Sequence, residues 1–453
     1  MPRYVITTLC LLLGCSQMAQ AAVSAEESAK LGKELTPVGA EKAANAAGSI
    51  PAWDGGITSA PAEYKGDRRY INPFKSDQPT HEINAQNYQE HADQLTEGQQ
   101  ALFRQYPDSF KMKVYQTRRS SAYPQYIYDE TIKNATRVEL VNDGNGFSGT
   151  VAGHPFPIPK QGIEVMWNHM TRYNTKGYKG YFNNAIVDQE GDFIKERTYI
   201  EIAFRYNHPD TTLENLNNMA LYALIKTVAP ASKVGDSYLL HLPLDRMETD
   251  TNLWVLNKGI GKVRRIGEVG YDNPLDSDYP ITHDQVDMFN GPFDRYQFKL
   301  IGKKEIYVPY NSYDLYNYDL DYKDIIKKGH PNTDLMRHEL HRVWVVEATV
   351  RPEFKHIYHK RIFYADEDSW QILWQDLYDA RGEFWRTASS FPINVYEIPA
   401  QFSGLQAHYD LQSRSYVMLY MSQGEKKPVE YDWYEDPGYF SPNTLRKFSK
   451  KAH

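Results

Sequence analysis

Two pairs of histidines carry side chains that could bind a metal ion. "HELH" contains His338 and His341, and "HIYH" contains His356 and His359. Zinc proteases space two histidines four positions apart on a helix, so that both imidazoles reach one ion. Here the spacing is three, at the ends of predicted strands, where alternate side chains point to opposite faces. The pattern therefore predicts strand-end or surface histidines and no metal site.

Two acidic clusters, Asp319 to Asp324 ("DLDYKD") and Asp366 to Asp368 ("DED"), could also do chemistry. Neither has the glycine and the distal glutamate of a calcium-binding loop. The second cluster lies where a hairpin must turn, which predicts a solvated turn. Paired carboxylates are what a glycoside hydrolase needs, but their separation cannot be derived from one sequence. We name no catalytic residue and expect no cofactor.

A third motif, "GNGFSG" at Gly144 to Gly149, matches the glycine pattern of dinucleotide-binding proteins. That site requires a helix whose first turn begins at the glycines and faces the phosphates. The following "TVAGHPFPIPK" contains three prolines, which exclude such a helix. The stretch is therefore predicted to be a turn.

The N-terminus has the pattern of an export signal. A short positive region, an apolar run and "AQA" at Ala19 to Ala21 predict a signal peptide over residues 1–21. The apolar run is too short for a membrane span, which needs about 20 residues. "LLGC" also matches a lipoprotein box, so lipidation of Cys15 is the alternative to cleavage after Ala21. We predict a location in the periplasm or at the periplasmic face of the outer membrane, with no transmembrane segment in the mature chain.

Composition narrows the class of ligand. The net charge is −7, which argues against nucleic acid as a partner. Both cysteines lie within the leader, so cleavage after Ala21 would leave neither a disulfide nor a thiol nucleophile. The chain holds 35 Tyr, 18 Phe and 8 Trp, and so many rings suit a large β-structure or a cavity for an apolar ligand.

The elements that must position these residues change along the chain. Residues 34–180 are predicted to be mixed helical and irregular, with helices over 84–110 and 162–173. From about Tyr181 onward, short β-type runs alternate with turn residues. We therefore predict a mainly β (α+β) fold in which residues 34–453 form a single large β-rich domain.

Large aromatic residues recur on the predicted strands. In "SWQILWQDLYD", alternation places Trp370, Ile372, Trp374, Asp376 and Tyr378 on one strand face. Such a face suits the lining of a concave apolar site, and ordinary sheet core is the alternative. The candidate ligand-lining residues are Trp254, Trp344, Trp370, Trp374 and Trp385.

The segment after the leader combines linker-like composition with signals for local structure. Residues 22–33 are predicted to be a flexible tether. In "ELTPVGAEKAANAAGSIPAWDGG", Thr36 and Gly48 could cap a short helix from Pro37 to Ala47. Trp53 is then predicted to be buried against the main sheet.

Several segments resemble one family. They are "LTPVGAEKAANAAGSIPAWDGG", "GHPFPIPKQGIEVMWNH", "MFNGPFDRYQFKLIGKKEIYVPYNSY", "HELHRVWVVEATV", "HKRIFYADEDSW" and "FSPNTLRKF". Together they resemble the exported proteobacterial domain-of-unknown-function family 1329 from about Leu35 to Phe448. The resemblance implies a fold like that of the LolA/LolB lipoprotein carriers, a large curved antiparallel sheet or incomplete barrel with helices on its concave side. It also implies an association with outer-membrane lipoprotein sorting and with export permeases of the resistance-nodulation-division (RND) type, and it supplies no functional residues.

Three functions are compatible with these observations. The first is a non-enzymatic carrier or chaperone that binds a lipid, an acyl chain or a lipoprotein in an aromatic-lined concave sheet, at the outer membrane or with an RND-type permease. The second is a periplasmic glycan-directed hydrolase with an Asp/Glu pair, for which two buried carboxylates in a cleft would be diagnostic. The third is an accessory or scaffold protein at the outer membrane, for which an exposed apolar patch would be diagnostic.

Overall fold

The described chain contains six α-helices, twenty strands and several turns of 3-10 helix. The computed structural model describes residues 23–267, 270–275 and 279–451, so the predicted signal peptide and Cys15 lie outside the described residues. The helices are α1 Ala25–Ser28, α2 Glu97–Gln105, α3 Gln125–Arg137, α4 Gly162–Met170, α5 Tyr322–Ile325 and α6 Pro442–Lys450.

The strands extend from His81 to Tyr431 and are most frequent in the second half of the chain. They are β1 His81–Ile83, β2 Met112–Tyr115, β3 Glu139–Val141, β4 Gly146–Ser148, β5 Gly177–Val187, β6 Phe193–Phe204, β7 Met219–Ala229, β8 Ser237–Pro243, β9 Asn252–Leu256, β10 Val263–Ile266, β11 Tyr296–Pro309, β12 His338–Val350, β13 Lys360–Asp366, β14 Ile372–Tyr378, β15 Phe384–Ser390, β16 Ile393–Val395, β17 Ala400–Phe402, β18 Gln406–Asp410, β19 Ser415–Met421 and β20 Glu430–Tyr431.

Sixteen of these strands form one large sheet, as the sequence predicts. Fourteen follow the order β1-β2-β12-β13-β14-β15-β18-β19-β5-β6-β7-β8-β9-β10, while β11 pairs with β12 and β20 pairs with β5. The pairing is antiparallel apart from a short parallel contact between β2 and β12. Within the described residues β1 and β10 are the two ends of this path and do not pair with each other, so the sheet is open and not a closed barrel.

Helices cover both faces of the sheet. Helix α2 lies against β14 and β15, where Gly98 approaches Asp376 and Thr387. Helix α4 lies against β11 and β12, where Gly162 approaches Val346. The strand register places Asp376 and Val346 on opposite faces, because successive side chains alternate across a strand. Both faces of this region are therefore buried.

A β-bulge changes the predicted face of β14. Tyr364 pairs with Trp374 and Ala365 pairs with Ile372, so one residue of β14 is left over between them. Trp374 packs in the largest apolar cluster, together with Tyr364. Trp370 and Ile372 pack in the cluster of the opposite face. The prediction that these residues share one face is wrong because the bulge shifts the alternation by one residue.

The segment after the leader folds differently from its prediction. Residues 36–47 form turns and no helix, with the backbone N–H of Thr36 donating to the carbonyl oxygen of Ala40. The alanine-rich composition is overridden by packing, because Gly39 sits against the backbone of Pro157. Trp53 is half-buried and contacts Tyr128 of α3 edge to face, at 6.3 Å between ring centroids, so its partner is a helix and not the main sheet. Before it, Leu31 is buried within the segment predicted as a tether.

Replacing Gly39 by alanine is expected to cost about 3 kcal/mol of unfolding free energy, and Gly48→Ala about 1 kcal/mol. Both glycines have positive φ, +93° and +70°. A Cβ at position 39 would lie 1.7 Å from the carbonyl oxygen of Pro157, whereas at position 48 nothing lies within 4 Å. Urea denaturation followed by circular dichroism measures both losses. Equal losses would contradict close packing of the segment against Pro157.

The predicted helices are partly correct. The helix predicted over 162–173 is α4, which ends at Met170. The helix predicted over 84–110 is two elements, a 3-10 segment at Tyr88–Gln94 and α2, separated where Thr96 caps the second. "GNGFSG" begins in the turn between β3 and β4 and continues as β4, so the predicted turn is confirmed for its first residues and the rest of the stretch is strand. No helix among the described residues has the length and apolar character of a membrane span.

Candidate functional site

An apolar cleft lies where α4 meets the ends of β6, β7 and β8. Its enclosed volume is about 70 Å³, below the roughly 300–1,000 Å³ of typical small-molecule sites, and the space between its walls reaches about 610 Å³ only when the open solvent at its mouth is included. Its walls come from α4, from the strand ends and from the segment 287–290. The lining residues are Trp167, Met170, Thr171, Arg172, Asn174, Phe204, Tyr206, Asn207, Ala220, Leu221, Leu242, Pro243, Leu244, Asp287, Phe289 and Asn290.

A smaller hollow continues the cleft along α4. Its enclosed volume is only about 10 Å³, and it shares Trp167, Met170 and Leu244 with the cleft. Met247 lines this hollow and is 60% exposed, which is unusual for a large apolar side chain. The two spaces together form one apolar surface that runs from the strand ends to the solvent.

Two polar atoms at the cleft are buried without a hydrogen-bond partner. They are Nε of Arg172 and Oδ1 of Asn174. Arg172 is otherwise well fixed, because Nη2 donates to Oδ1 of Asp287 at 2.6 Å and Nη1 donates to the carbonyl oxygen of His169 at 2.6 Å. A buried unsatisfied polar group costs about 1–3 kcal/mol, so these atoms suit the polar part of a ligand or water.

His169 anchors the cleft wall from inside the protein. Its Nε2 lies 2.9 Å from the carbonyl oxygen of Asp287, and its Nδ1 lies 3.2 Å from the backbone nitrogen of Ile372. Nε2 therefore carries the proton and Nδ1 accepts. Burial, followed by the charge of Arg172, holds the pKa of His169 well below its usual value, so the ring stays neutral. Asp287 and Met288 both have positive φ, +58° and +68°, a strained pair that these contacts hold in place.

The five tryptophans predicted to line a site lie in several places. Trp254 packs near α6 and contacts His241. Trp374 belongs to the largest apolar cluster, and its Nε1 donates to Oδ1 of Asp376 at 3.1 Å. Trp385 lies 5.6 Å from Tyr358, with the guanidinium of Arg386 over its ring.

Two of the predicted tryptophans are brought together. Trp344 and Trp370 stack with an interplanar angle of 10° and a centroid distance of 6.1 Å. Trp370 is fully buried, and its Nε1 donates to the carbonyl oxygen of Val38 at 3.1 Å. None of the five is among the described lining residues of this cleft.

The tryptophan that lines the cleft is Trp167, which the sequence analysis did not select. Its Nε1 donates to the carbonyl oxygen of Gly144 at 2.8 Å, and its ring contacts Phe147 and Phe293. Seven of the nine residues of α4 are buried. The apolar residues Ile163, Val165, Met166, Trp167 and Met170 in "GIEVMWNHM" were the available signal that this helix has a wide buried face.

The acidic cluster predicted in a solvated turn is buried. Asp366, Glu367 and Asp368 are 0%, 2% and 4% exposed. Arg119 donates to both carboxylate oxygens of Asp368, at 2.9 Å and 2.7 Å, and Arg342 donates to Oε1 of Glu367 at 2.8 Å. The prediction is wrong because distant arginines neutralise the turn and the N-terminal segment covers it. Burial and then the charge of Asp368 raise the pKa of Asp366 to about 6.

The histidine pairs also differ from their prediction. His338, His341 and His356 are 1%, 1% and 8% exposed, so surface positions are wrong for these three, although His338 begins β12 and thus has the strand-end position that was the other alternative. They are buried because β12 and its neighbours are covered on both faces. His359 is exposed, as predicted.

Comparison with known proteins identifies similar chains. A family model described as "Protein of unknown function (DUF1329)" matches residues 82–446. A Pseudomonas aeruginosa protein described as "Uncharacterized protein PA3922" is 41% identical over 428 residues, which is 94% of each chain.

Solved structures give weaker matches. A putative outer membrane lipoprotein-sorting protein domain from Vibrio parahaemolyticus matches with a TM-score of 0.42 and 13% identity, over 63% of this chain and 98% of that one. A DUF1329 family protein from Desulfovibrio piger matches with a TM-score of 0.41 and 14% identity, over 60% and 92%. The LolA superfamily protein NE2245 from Nitrosomonas europaea gives 0.38 and 12%, over 63% and 100%. At these values the likeness carries no information about a ligand.

Proposed function

This chain belongs to the DUF1329 family, and because that family's description assigns no activity, we propose from the cleft that the protein is a non-enzymatic carrier or chaperone for a hydrophobic ligand. The ligand is a lipid, an acyl chain or a lipoprotein. The observation that carries this proposal is the apolar cleft beside α4, whose floor is formed by Trp167, Met170 and Leu244.

The chemistry of the cleft favours an amphipathic ligand. Apolar walls remove water from an acyl chain, and each buried CH₂ contributes about 0.8 kcal/mol. The unpartnered Nε of Arg172 and Oδ1 of Asn174 can receive the polar end of the same molecule. Nε of Arg172 would donate to an acidic or carbonyl oxygen of the head group, whereas Oδ1 of Asn174 would accept a hydrogen bond from a hydroxyl or N–H of the same group.

The place of action follows from the predicted export signal. We propose that the protein works in the periplasm or at the periplasmic face of the outer membrane, where a carrier of apolar molecules protects them from water. An RND-type permease or an outer-membrane protein is the partner implied by the family resemblance. The 60% exposure of Met247 at the rim supports an entry route for the ligand along α4.

The two other functions have less support. Among the described lining residues of the cleft, Asp287 is the only carboxylate, and Arg172 is bonded to it. A hydrolase acting in this cleft would need a second carboxylate. The scaffold function would need one large exposed apolar patch. Among the described residues, the large exposed apolar side chains, such as Ile194 and Ile260, lie on separate strands and loops and do not support such a patch.

Replacing Ala220 by tryptophan is expected to weaken binding of a fluorescent fatty acid by roughly 30-fold. Ala220 lines the cleft, and an indole there occupies space that an acyl chain would fill. Loss of two or three buried CH₂ groups corresponds to about 2 kcal/mol. A fluorescence titration of the full mature chain, after removal of bound lipid, measures the affinity.

The matched control is Ala60→Trp, at an exposed position outside the cleft. It adds the same aromatic side chain and is expected to leave the affinity unchanged. Wild-type protein that does not bind the probe would overturn the proposal. Equal affinities of Ala220→Trp and wild type would show that a ligand binds elsewhere.

A further inference from the structure

A histidine and two aspartates meet inside the protein at the end of β13. His341 belongs to β12, Asp366 ends β13, and Asp368 lies in the turn that follows. One ligand atom from each of the three lies within 4.8 Å of the others. We propose that His341, Asp366 and Asp368 form a binding site for one divalent transition-metal ion. This site lies outside the apolar cleft and does not rest on the proposed carrier function.

The first argument is an unpartnered carboxylate oxygen. Oδ2 of Asp366 accepts three hydrogen bonds, from the backbone and the hydroxyl of Ser369 at 3.0 Å and 2.6 Å and from the hydroxyl of Tyr310 at 3.0 Å. Oδ1 of the same carboxylate is buried and has no hydrogen-bond partner. An anionic oxygen without a donor in a dry interior is strongly unfavourable, and a cation would satisfy it.

The second argument is the orientation of His341. Its Nε2 lies 3.1 Å from Oε2 of Glu339. A carboxylate only accepts hydrogen bonds, so in the neutral imidazole Nε2 carries the proton and Nδ1 presents a lone pair. Nδ1 lies 3.7 Å from the unpartnered Oδ1 of Asp366. Two lone pairs therefore face each other, and Glu339 takes the position of the outer carboxylate that orients metal-bound histidines.

The third ligand is shared with an arginine. Arg119 donates to both oxygens of Asp368. Each carboxylate oxygen has a second lone pair, so Asp368 retains the capacity to bind an ion. The positive charge of Arg119 opposes the ion, whereas the buried carboxylates of Glu339 and Glu367 favour it. Arg342 and Lys303 pair with Glu367, and Arg337 pairs with Glu339.

The ligand set selects the class of ion. One imidazole nitrogen with two carboxylate oxygens suits Zn²⁺ and related first-row ions, whereas Ca²⁺ and Mg²⁺ prefer oxygen ligands alone. Two ligands of tetrahedral Zn²⁺ lie about 3.4 Å apart. The 3.7 Å between His341 Nδ1 and Asp366 Oδ1 needs little change to reach that value. The ligands come from two strands and a turn, which explains why histidine spacing alone does not indicate the site.

The test is a titration of the full mature chain with Zn²⁺ by isothermal calorimetry, after dialysis against a chelator. We expect one ion per wild-type chain. Asp366→Asn should weaken binding more than about 100-fold, because loss of an outer partner alone costs 10–100-fold. This variant should remain folded, since the asparagine oxygen can accept the bonds now made to Oδ2 and its amide can donate to Nδ1 of His341.

Two further variants complete the test. His341→Ala should also lose the ion, whereas His359→Gln, which removes an exposed histidine, should bind Zn²⁺ as the wild type does. Thermal unfolding should show that added Zn²⁺ raises the Tm of wild type but not of Asp366→Asn. Absence of stoichiometric binding by wild type, or equal binding by Asp366→Asn, would overturn the proposal and indicate that a proton satisfies the cluster.

Discussion

Replacing Asp376 by asparagine is expected to stabilise the protein by about 4 kcal/mol at pH 8 and to change its stability little near pH 4. Asp376 lies on β14 and is 0% exposed. Burial is the largest influence on this carboxyl, and it raises the pKa of Asp376 to about 7.

The hydrogen bonds around Asp376 explain why an amide fits. Three donors converge on Oδ1: the backbone N–H of Gly98 at 3.2 Å, the hydroxyl of Thr387 at 2.9 Å and Nε1 of Trp374 at 3.1 Å. Oδ2 lies 3.4 Å from the hydroxyl oxygen of Tyr364. An asparagine can keep its oxygen at the Oδ1 position and donate from its amide to Tyr364. It therefore retains every partner without a charge to bury.

The direction of the pH effect follows from proton uptake. The folded protein holds the proton of Asp376 up to about pH 7, whereas the unfolded chain releases it near the ordinary aspartate pKa of 3.8. Between these values the folded state binds more protons, so its stability falls as pH rises. The contribution is fully present below pH 3.8 and is lost as pH passes through about 7. About three pKa units correspond to about 4 kcal/mol.

The measurement is urea denaturation of wild type and variant at several pH values, with the difference between the two plotted against pH. Other titrating groups are common to both proteins and cancel. Asp319→Asn, at a side chain that is 84% exposed, is the control and should change stability by less than about 0.5 kcal/mol at every pH. A variant that is less stable than wild type at pH 8 would show that the buried carboxyl is ionised and contributes favourably.

Strand-rich architecture is predictable from this sequence because its signals are local. Alternating side chains and turn residues from Tyr181 onward indicate the strands without knowledge of their partners. Helix α4 is indicated in the same way. The bulge in β14 is not indicated by local sequence. It adds one residue that changes the face of Trp370, and its position depends on how β14 pairs with β13.

The candidate sites depend on contacts between distant residues. The local sequence Asp366 to Asp368 is typical of a solvated turn. In the structure Arg119, which is 249 positions from Asp368, donates to its carboxylate. The local sequence around Trp370 is typical of a lining residue. In the structure its indole N–H donates to the carbonyl oxygen of Val38, 332 positions away, which local sequence does not indicate. The lining of the cleft likewise joins α4 to strand ends and to the segment 287–290. Local pattern cannot supply such pairings, so burial and charge partners were not predictable here.

A buried ion pair connects the core of the sheet to the cleft wall. Arg361 on β13 is 0% exposed, and its Nη1 donates to Oδ2 of Asp284 at 2.6 Å. The rings of Phe289, Tyr296 and Phe363 surround its guanidinium at 5.1 to 5.9 Å. Burial, the largest single influence, would raise the pKa of Asp284, but the charge of Arg361 together with His356 and the hydroxyl of Thr282 outweighs it and holds that pKa well below its usual value.

The same pair positions residues that line the cleft. The backbone N–H of Asn290 donates to the carbonyl oxygen of Asp284 at 2.8 Å. Asp287, Phe289 and Asn290 line the cleft between these anchors. Because Arg361 holds Asp284 and packs against Phe289, the ion pair links the stability of the sheet to the shape of the proposed ligand site.

Replacing Arg361 by methionine is therefore expected to cost about 3 kcal/mol of unfolding free energy, since it removes the cation beside the buried carboxylate of Asp284, which then keeps only His356 and the hydroxyl of Thr282 as partners. Methionine retains much of the apolar stem among the rings. The double variant Arg361→Met with Asp284→Asn removes both charges and should recover about half of this loss. Urea denaturation at pH 7 of the wild type, both single variants and the double variant gives the coupling energy directly.

The fatty-acid titration of the same four proteins separates the two roles of the pair. If the pair holds the cleft wall, Arg361→Met should weaken binding of the probe under conditions in which the protein is still folded, and the double variant should recover part of that affinity. Losses in stability that add without coupling would contradict a direct interaction between Arg361 and Asp284. A coupled loss of stability with unchanged affinity would instead restrict the pair to the core, because the segment 287–290 would then be held sufficiently by His169, Arg172 and Arg246.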